Sequence, residues 1–137
     1  MRLTRAAEYA VRCVLYLATQ PEQVVISKKE IAKNMDIPEQ FLGKIAQQLS
    51  RAGIMEILQG ARGGLRLLRQ PETISLLEVV EAVMGELFLN DCLMNPNACK
   101  RTPTCAVHDV WEKARLDLRN TLGEANFRQL SMSPCGE

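Results

Sequence analysis

The sequence of 137 residues predicts a mainly α-helical fold broken by one small β-hairpin. Three observations predict it. Apolar residues recur at three- and four-residue spacing through five segments. Alternating apolar residues occur at 54–58 and 65–69, on either side of the glycine-rich run Q-G-A-R-G-G. Two short helical segments, joined by a few residues, directly precede that hairpin. This order is that of a winged helix-turn-helix, and a further long helical segment near the C-terminus predicts a dimerisation helix.

The first helix covers 4–19. Thr4 is its N-cap, Ala7, Ala10, Val11, Val14, Leu15 and Leu17 form an apolar stripe, and Pro21 ends it. Cys13 lies inside that stripe and reads as a small core residue. The second helix follows Ser27, with Glu30 completing a capping box. The third starts near Pro38 and closes at Gly53, with Phe41, Leu42, Ile45, Ala46 and Leu49 as its apolar face. After the hairpin, Pro71 marks an exit. Ser75 and Glu78 form a capping box for a helix over 75–86. A last long helix runs from about 106 to 121, where Val107, Trp111, Ala114, Leu118 and Thr121 recur at spacings of four and three. This stripe either packs on the first helix or meets a second copy of the chain, and the two arrangements are compatible.

Composition bounds the function. Hydrophobic residues make up 47% and charged residues 24%, which suits a folded core and argues against disorder. No apolar stretch approaches the ~20 residues that span a bilayer. Arg2 and Arg5 are not followed by a leader-like apolar run. A cytoplasmic protein without a membrane partner is therefore expected. The net charge of +1 hides an asymmetry: residues 1–70 hold eleven Lys/Arg against six Asp/Glu, and residues 71–137 six against ten. A basic front half, read as a DNA-binding domain over 1–70, suits a polyanion. The remainder, 71–137, carries the cysteines and the dimerisation helix.

In a helix-turn-helix the second helix enters the major groove and its N-terminal part reaches the base edges. Here that part carries Glu39, Gln40, Gly43 and Lys44, with Gln47 further along. Gln pairs with adenine, and Lys with guanine or phosphate. Lys28 and Lys29, in the helix before, suit phosphates. Arg62, with Gly63 and Gly64 at the hairpin tip, is placed to enter a minor groove. Arg66 and Arg69 read as further phosphate contacts.

Cys92, Cys99, Cys105 and the single histidine, His108, fall in the pattern C-x6-C-x5-C-x2-H. Pro96 and Pro103 predict an irregular loop. Thiolates gathered on one loop suit a metal ion or an iron–sulfur cluster. An odd total of five cysteines, without a leader, argues against disulfides. Three Cys and one His also make a zinc set, although zinc sites usually contain a closer cysteine pair. No role follows for Cys135. No nucleophile, base or phosphate loop is evident, so an enzyme is not expected. Two function classes follow: a metal-gated DNA-binding regulator, or a small iron–sulfur or zinc protein for metal carriage or storage whose front half binds protein.

These residues together resemble the IscR/NsrR superfamily of bacterial winged-helix transcriptional regulators. The resemblance runs from M-R-L-T-R-A-A-E-Y-A-V-R through I-P-E-Q-F-L-G-K-I-A-Q-Q-L-S-R-A-G-I, the wing Q-G-A-R-G-G-L-R-L and the helix I-S-L-L-E-V-V-E-A-V to C-A-V-H-D-V-W. It implies a homodimer on a palindromic DNA operator, most simply a repressor, sensing redox state, iron or nitric oxide. It also implies an iron–sulfur cluster, 2Fe-2S or 4Fe-4S, on Cys92, Cys99 and Cys105. The fourth ligand it implies is either a histidine just beyond the third cysteine, His108 here, or an acidic residue of the other subunit's first helix, Glu8 here. The preference falls on Glu8, because a carboxylate bridging subunits would couple the loop directly to the geometry of the dimer. The first cysteine gap is longer than in such relatives. Gly43 stands where IscR-like members carry an acidic residue, so their base preference does not transfer.

Overall fold

A computed structural model of the chain describes residues 2–95 and 97–133, with Asp91 and Cys92 described in backbone alone. Several of its helices begin where the sequence offers a cap oxygen. Thr4 accepts from Ala7 N–H to open α1 (Arg5–Ala18), and Ser27 accepts from Glu30 N–H to open α2 (Lys28–Met35). Each such cap is worth about 0.5–2 kcal/mol. The expected capping box at Ser27 is only half formed. Glu30 instead accepts from the Tyr16 hydroxyl at 2.8 Å, and Asn34 donates to the same hydroxyl at 3.1 Å.

Asp36, in the left-handed conformation (φ 52°), ends α2 and turns the chain into α3 (Glu39–Arg51). Pro38 occupies the N-cap of α3, where its missing N–H costs no helical bond. Gly53 lies one residue beyond the C-cap Ala52, with φ 76°, and releases the chain into the hairpin. Leu42, Ile45, Ala46 and Leu49 are buried as expected. Phe41 is a correction: it is 45% exposed. Tyr9 holds the buried place beside it, with the two rings 5.9 Å apart and tilted by 53°.

Strands β1 (Met55–Leu58) and β2 (Gly64–Leu67) pair antiparallel, with Met55 opposite Leu67 and Leu58 opposite Gly64. Ile26, just before α2, adds one rung: its N–H donates to Leu65 O at 2.9 Å and its carbonyl accepts from Leu65 N–H at 2.8 Å. That rung docks the hairpin on the helical body. It is possible only because residue 64 lacks a Cβ, which would stand 2.2 Å from the Ile26 oxygen.

A 3-10 turn (Pro71–Thr73) leads to α4 (Leu76–Met84), where both halves of the Ser75–Glu78 capping box form. A short α5 (Asp91–Met94) and a second 3-10 turn (Thr102–Thr104) bracket the cysteine segment. The segment is thus more regular than its prolines suggest, since Pro103 sits inside the opening of the turn, where no N–H is required. Helix α6 runs from His108 to Glu124, and a last helix, α7 (Phe127–Met132), returns to pack on α1. The sequence analysis did not anticipate α7. Phe127 is fully buried in a single core cluster with Val14, Leu42, Leu49, Leu65 and Val79.

Candidate functional site

The exposed face of α3 lies opposite its buried stripe. Glu39, Gln40, Lys44 and Gln47 all reach solvent there, while Gly43 is half-buried. At the start of α2, Lys29 is exposed and Lys28 half-buried. The three hairpin arginines divide. Arg66 is bound by Glu56 across the strands at 2.7 Å, and Arg69 by Glu78 at 3.0 Å, so neither is the free phosphate contact expected. Arg62 is exposed at the tip and, among the described residues, has no ion pair. Gly63 is half-buried. Gly64 is buried under the hairpin, where it serves the docking of β2 on Ile26 and is not part of the tip surface.

Helix α6 presents its faces in an unusual sense. The side turned to its own chain is charged. Arg115 is 8% exposed, donates from Nε to Leu87 O at 2.7 Å and from a guanidinium nitrogen to Glu86 at 2.6 Å, and stacks over the Phe88 ring at 4.3 Å. Arg119 pairs with Glu81 of α4, whose carboxylate also accepts from Leu87 N–H at 2.8 Å. The predicted stripe faces away: Val107 is 51% and Trp111 42% exposed, Ala114 is exposed and Leu118 half-buried, and Val110 at 60% extends the stripe. The alternative that this stripe packs on α1 of the same chain is therefore corrected, because the charged side of α6 occupies the contact with α4.

In the cysteine segment, successive three-residue turns join four residues. Thr102 N–H donates to Cys99 O at 3.2 Å, Cys105 N–H to Thr102 O at 3.4 Å, and His108 N–H to Cys105 O at 3.3 Å. Cys99 is exposed, Cys105 half-buried, and Cys92 lies on α5 with its side chain outside the described residues. His108 opens α6, and its Nδ1 is buried without a hydrogen-bond partner. Glu8, in the first turn of α1, is exposed beside Arg2 and Arg5. Among the described residues no three His, Cys, Asp or Glu groups stand close enough together to hold a metal ion. Cys13 is apart from all this: burial in the core pushes its thiol up to about 12, which keeps it protonated and unreactive. Cys135 lies outside the described residues. Among those described, no helix is long and apolar enough to cross a membrane.

Comparison with known proteins adds three likenesses. Residues 3–132 match the model of the Rrf2 family, described as iron-dependent transcriptional regulator. The HTH-type transcriptional regulators NsrR of Shouchella clausii and of Halalkalibacterium halodurans are 35% and 34% identical over 134 and 131 residues, spanning 97% and 95% of this chain and 90% of each relative. The crystal structure of the oxidised form of Staphylococcus aureus CymR superposes with a TM-score of 0.78 at 22% identity, over 99% of this chain and all of the other, a likeness of fold.

Proposed function

The chain belongs to the Rrf2 family of transcriptional regulators, a DNA-binding and non-enzymatic function, and from that premise we propose that it is a cytoplasmic homodimeric repressor whose operator affinity is set by an iron–sulfur group on its cysteine loop. The observation that carries the DNA reading is that Arg62 has no ion pair among the described residues, beside two arginines already bound to carboxylates. A cation left unpaired at the tip of a wing, after a helix with an exposed Gln and Lys face, suits groove and phosphate contacts. Glu39, Gln40, Lys44 and Gln47 read bases, Lys28 and Lys29 hold phosphates, and Arg62, on the turn that Gly63 N–H closes onto Gly60 O, enters the minor groove.

Support for the dimer comes from α6. A helix that turns Arg115 and Arg119 to its own chain and Val107, Val110, Trp111, Ala114 and Leu118 outward leaves a stripe to be covered. A second copy offers a matching stripe, and two-fold symmetry gives two reading heads for a palindromic operator.

For the loop, the donor chemistry fits the implied group. Cys92, Cys99 and Cys105 would supply thiolates, and the buried, unpartnered Nδ1 of His108 is a nitrogen whose environment is incomplete without a partner. Glu8 of a second subunit remains the preferred fourth ligand, with His108 the other candidate. The group supplies, when bound, a centre sensitive to oxidation and nitric oxide. The chain supplies the coupling, because the loop runs directly into α6, which Arg119 joins to α4 and Arg115 to the segment after it. A change in the loop therefore bears on the spacing of the reading heads. The test is anaerobic purification with iron and sulfide counted, followed by mobility shifts on promoter DNA with and without nitric oxide. Brown protein whose shift changes on exposure supports the reading. Colourless protein with one zinc per chain and no shift overturns it in favour of a metal-carrying protein. Glu8→Ala and His108→Ala, compared by visible spectrum, decide the fourth ligand.

A further inference from the structure

The relay of turns through the cysteine segment contains one residue that the ligand set does not use. Thr102 is fixed at both ends of its backbone, its N–H on Cys99 O and its carbonyl receiving Cys105 N–H. It stands midway between two thiols, three residues from each. It also opens the 3-10 turn that Pro103 stiffens. Its hydroxyl is buried and has no hydrogen-bond partner, a property shared among the described residues only with His108 Nδ1 on the same relay. The neighbouring Thr104 differs, since its hydroxyl donates to Arg101 O. A buried hydroxyl without a partner is destabilising, and an acceptor at that point removes the penalty.

We propose that Thr102 is a positioning residue of the loop site, its hydroxyl donating a hydrogen bond to a sulfur of the iron–sulfur group that Cys99 and Cys105 help to hold. This rests on the reading of the loop given above. A negatively charged sulfur is a strong enough acceptor to satisfy the hydroxyl, and hydrogen bonds to sulfur are among the factors that set the reduction potential of such groups. Such a bond favours the more negative, reduced state. Thr102 thereby raises the potential and lengthens the lifetime of the bound group, while the orphaned hydroxyl costs stability in the metal-free chain.

The experiment compares full-length wild type, Thr102→Val and Thr102→Ser, each reconstituted anaerobically with ferrous iron and sulfide. Iron affinity is read by chelator competition, potential by redox titration of the visible absorbance, and metal-free stability by thermal melting. Thr102→Val should lose roughly 10–100-fold in iron affinity and titrate at a lower potential, while Thr102→Ser stays near wild type. Metal-free Thr102→Val should melt at or above wild type. Equal affinity and potential in wild type and Thr102→Val overturn the proposal while leaving the loop site standing. A metal-free Thr102→Val that melts lower also overturns it, by showing a structural partner for the hydroxyl. Wild-type protein that takes up no iron and sulfide overturns both the loop reading and this proposal.

Discussion

Arg115, on α6, donates from Nε to the main-chain oxygen of Leu87 at 2.7 Å, and so fastens the segment after α4 to the helix that follows the cysteine loop. The carbonyl bond matters more than the ion pair with Glu86, because that carboxylate is 58% exposed and screened by water. Arg115→Ala should cost about 1.5–3 kcal/mol, the range for hydrogen bonds to charged groups. Urea denaturation checks it. Arg115→Lys should recover only part of the loss, since an ammonium cannot reach Leu87 and Glu86 with the same planar fork.

Gly64→Ala tests the docking of the wing. The added Cβ would meet the Ile26 carbonyl oxygen at 2.2 Å and its carbon at 2.6 Å, both backbone atoms that cannot swing aside. Destabilisation of about 1–3 kcal/mol is expected. Operator affinity should fall with it, as the hairpin tip loses its fixed position, and denaturation with parallel mobility shifts measures both.

Arg62→Ala leaves the fold intact, because the side chain is exposed and has no ion pair among the described residues. Binding to the specific operator should weaken by ~1–3 kcal/mol. Lys29→Ala should instead weaken all DNA alike and flatten the dependence on salt. Titrations at several salt concentrations separate the two. Unchanged affinity in Arg62→Ala would remove the wing from the interface.

Trp111→Glu places a charge in the middle of the outward stripe of α6. Trp111 is 42% exposed in the single chain, so far-ultraviolet circular dichroism should be unchanged. Sedimentation should show dissociation to monomer at concentrations where wild type remains a dimer. A dimer that persists would mean that a different face of the chain pairs.

Acid should loosen the start of α4. Burial alone would raise the Glu78 carboxyl, but its bonds to the Arg69 guanidinium and to Ser75 N–H outweigh this and hold it below its ordinary 4.5. A carboxyl depressed on folding stabilises the protein above its unfolded pKa, and that contribution is lost as pH falls through the folded value. Urea midpoints measured from neutral pH down into the acid range should therefore fall less steeply in Glu78→Gln than in wild type.

Cap residues were the most readable part of the chain. Thr4, Ser27 and Ser75 each open a helix, because a side-chain oxygen at the N-cap acts locally and needs no tertiary partner. Where two partners compete, the sequence alone misled: Glu30 left Ser27 for Tyr16, and Arg66 and Arg69 went to Glu56 and Glu78. Those choices depend on which residues tertiary folding brings near. Helix α7 was missed although Asn126 offers a cap oxygen to Gln129 N–H, since six residues of helix carry too little periodicity to stand out. The cysteine pattern gave the donor types, while the relay of turns that aligns Cys99, Thr102, Cys105 and His108 is a backbone property with no sequence signature of its own.

Residues 74–76 and 125–127 lie side by side. Leu76 N–H donates to Ala125 O at 2.8 Å, Phe127 N–H donates to Ile74 O at 3.1 Å, and Ser75 pairs with Asn126. The chain that leaves the core after α4 and returns along α6 is thus an excursion whose two ends are held by this staple, with α4 itself packed in the core. An insertion or deletion between Cys92 and Cys105 changes the path of the excursion without displacing either end, because the staple is made before the chain leaves and after it returns. The fold can therefore accept loops of different lengths and cysteine spacings there on an unaltered DNA-binding body, which makes the loop an exchangeable part.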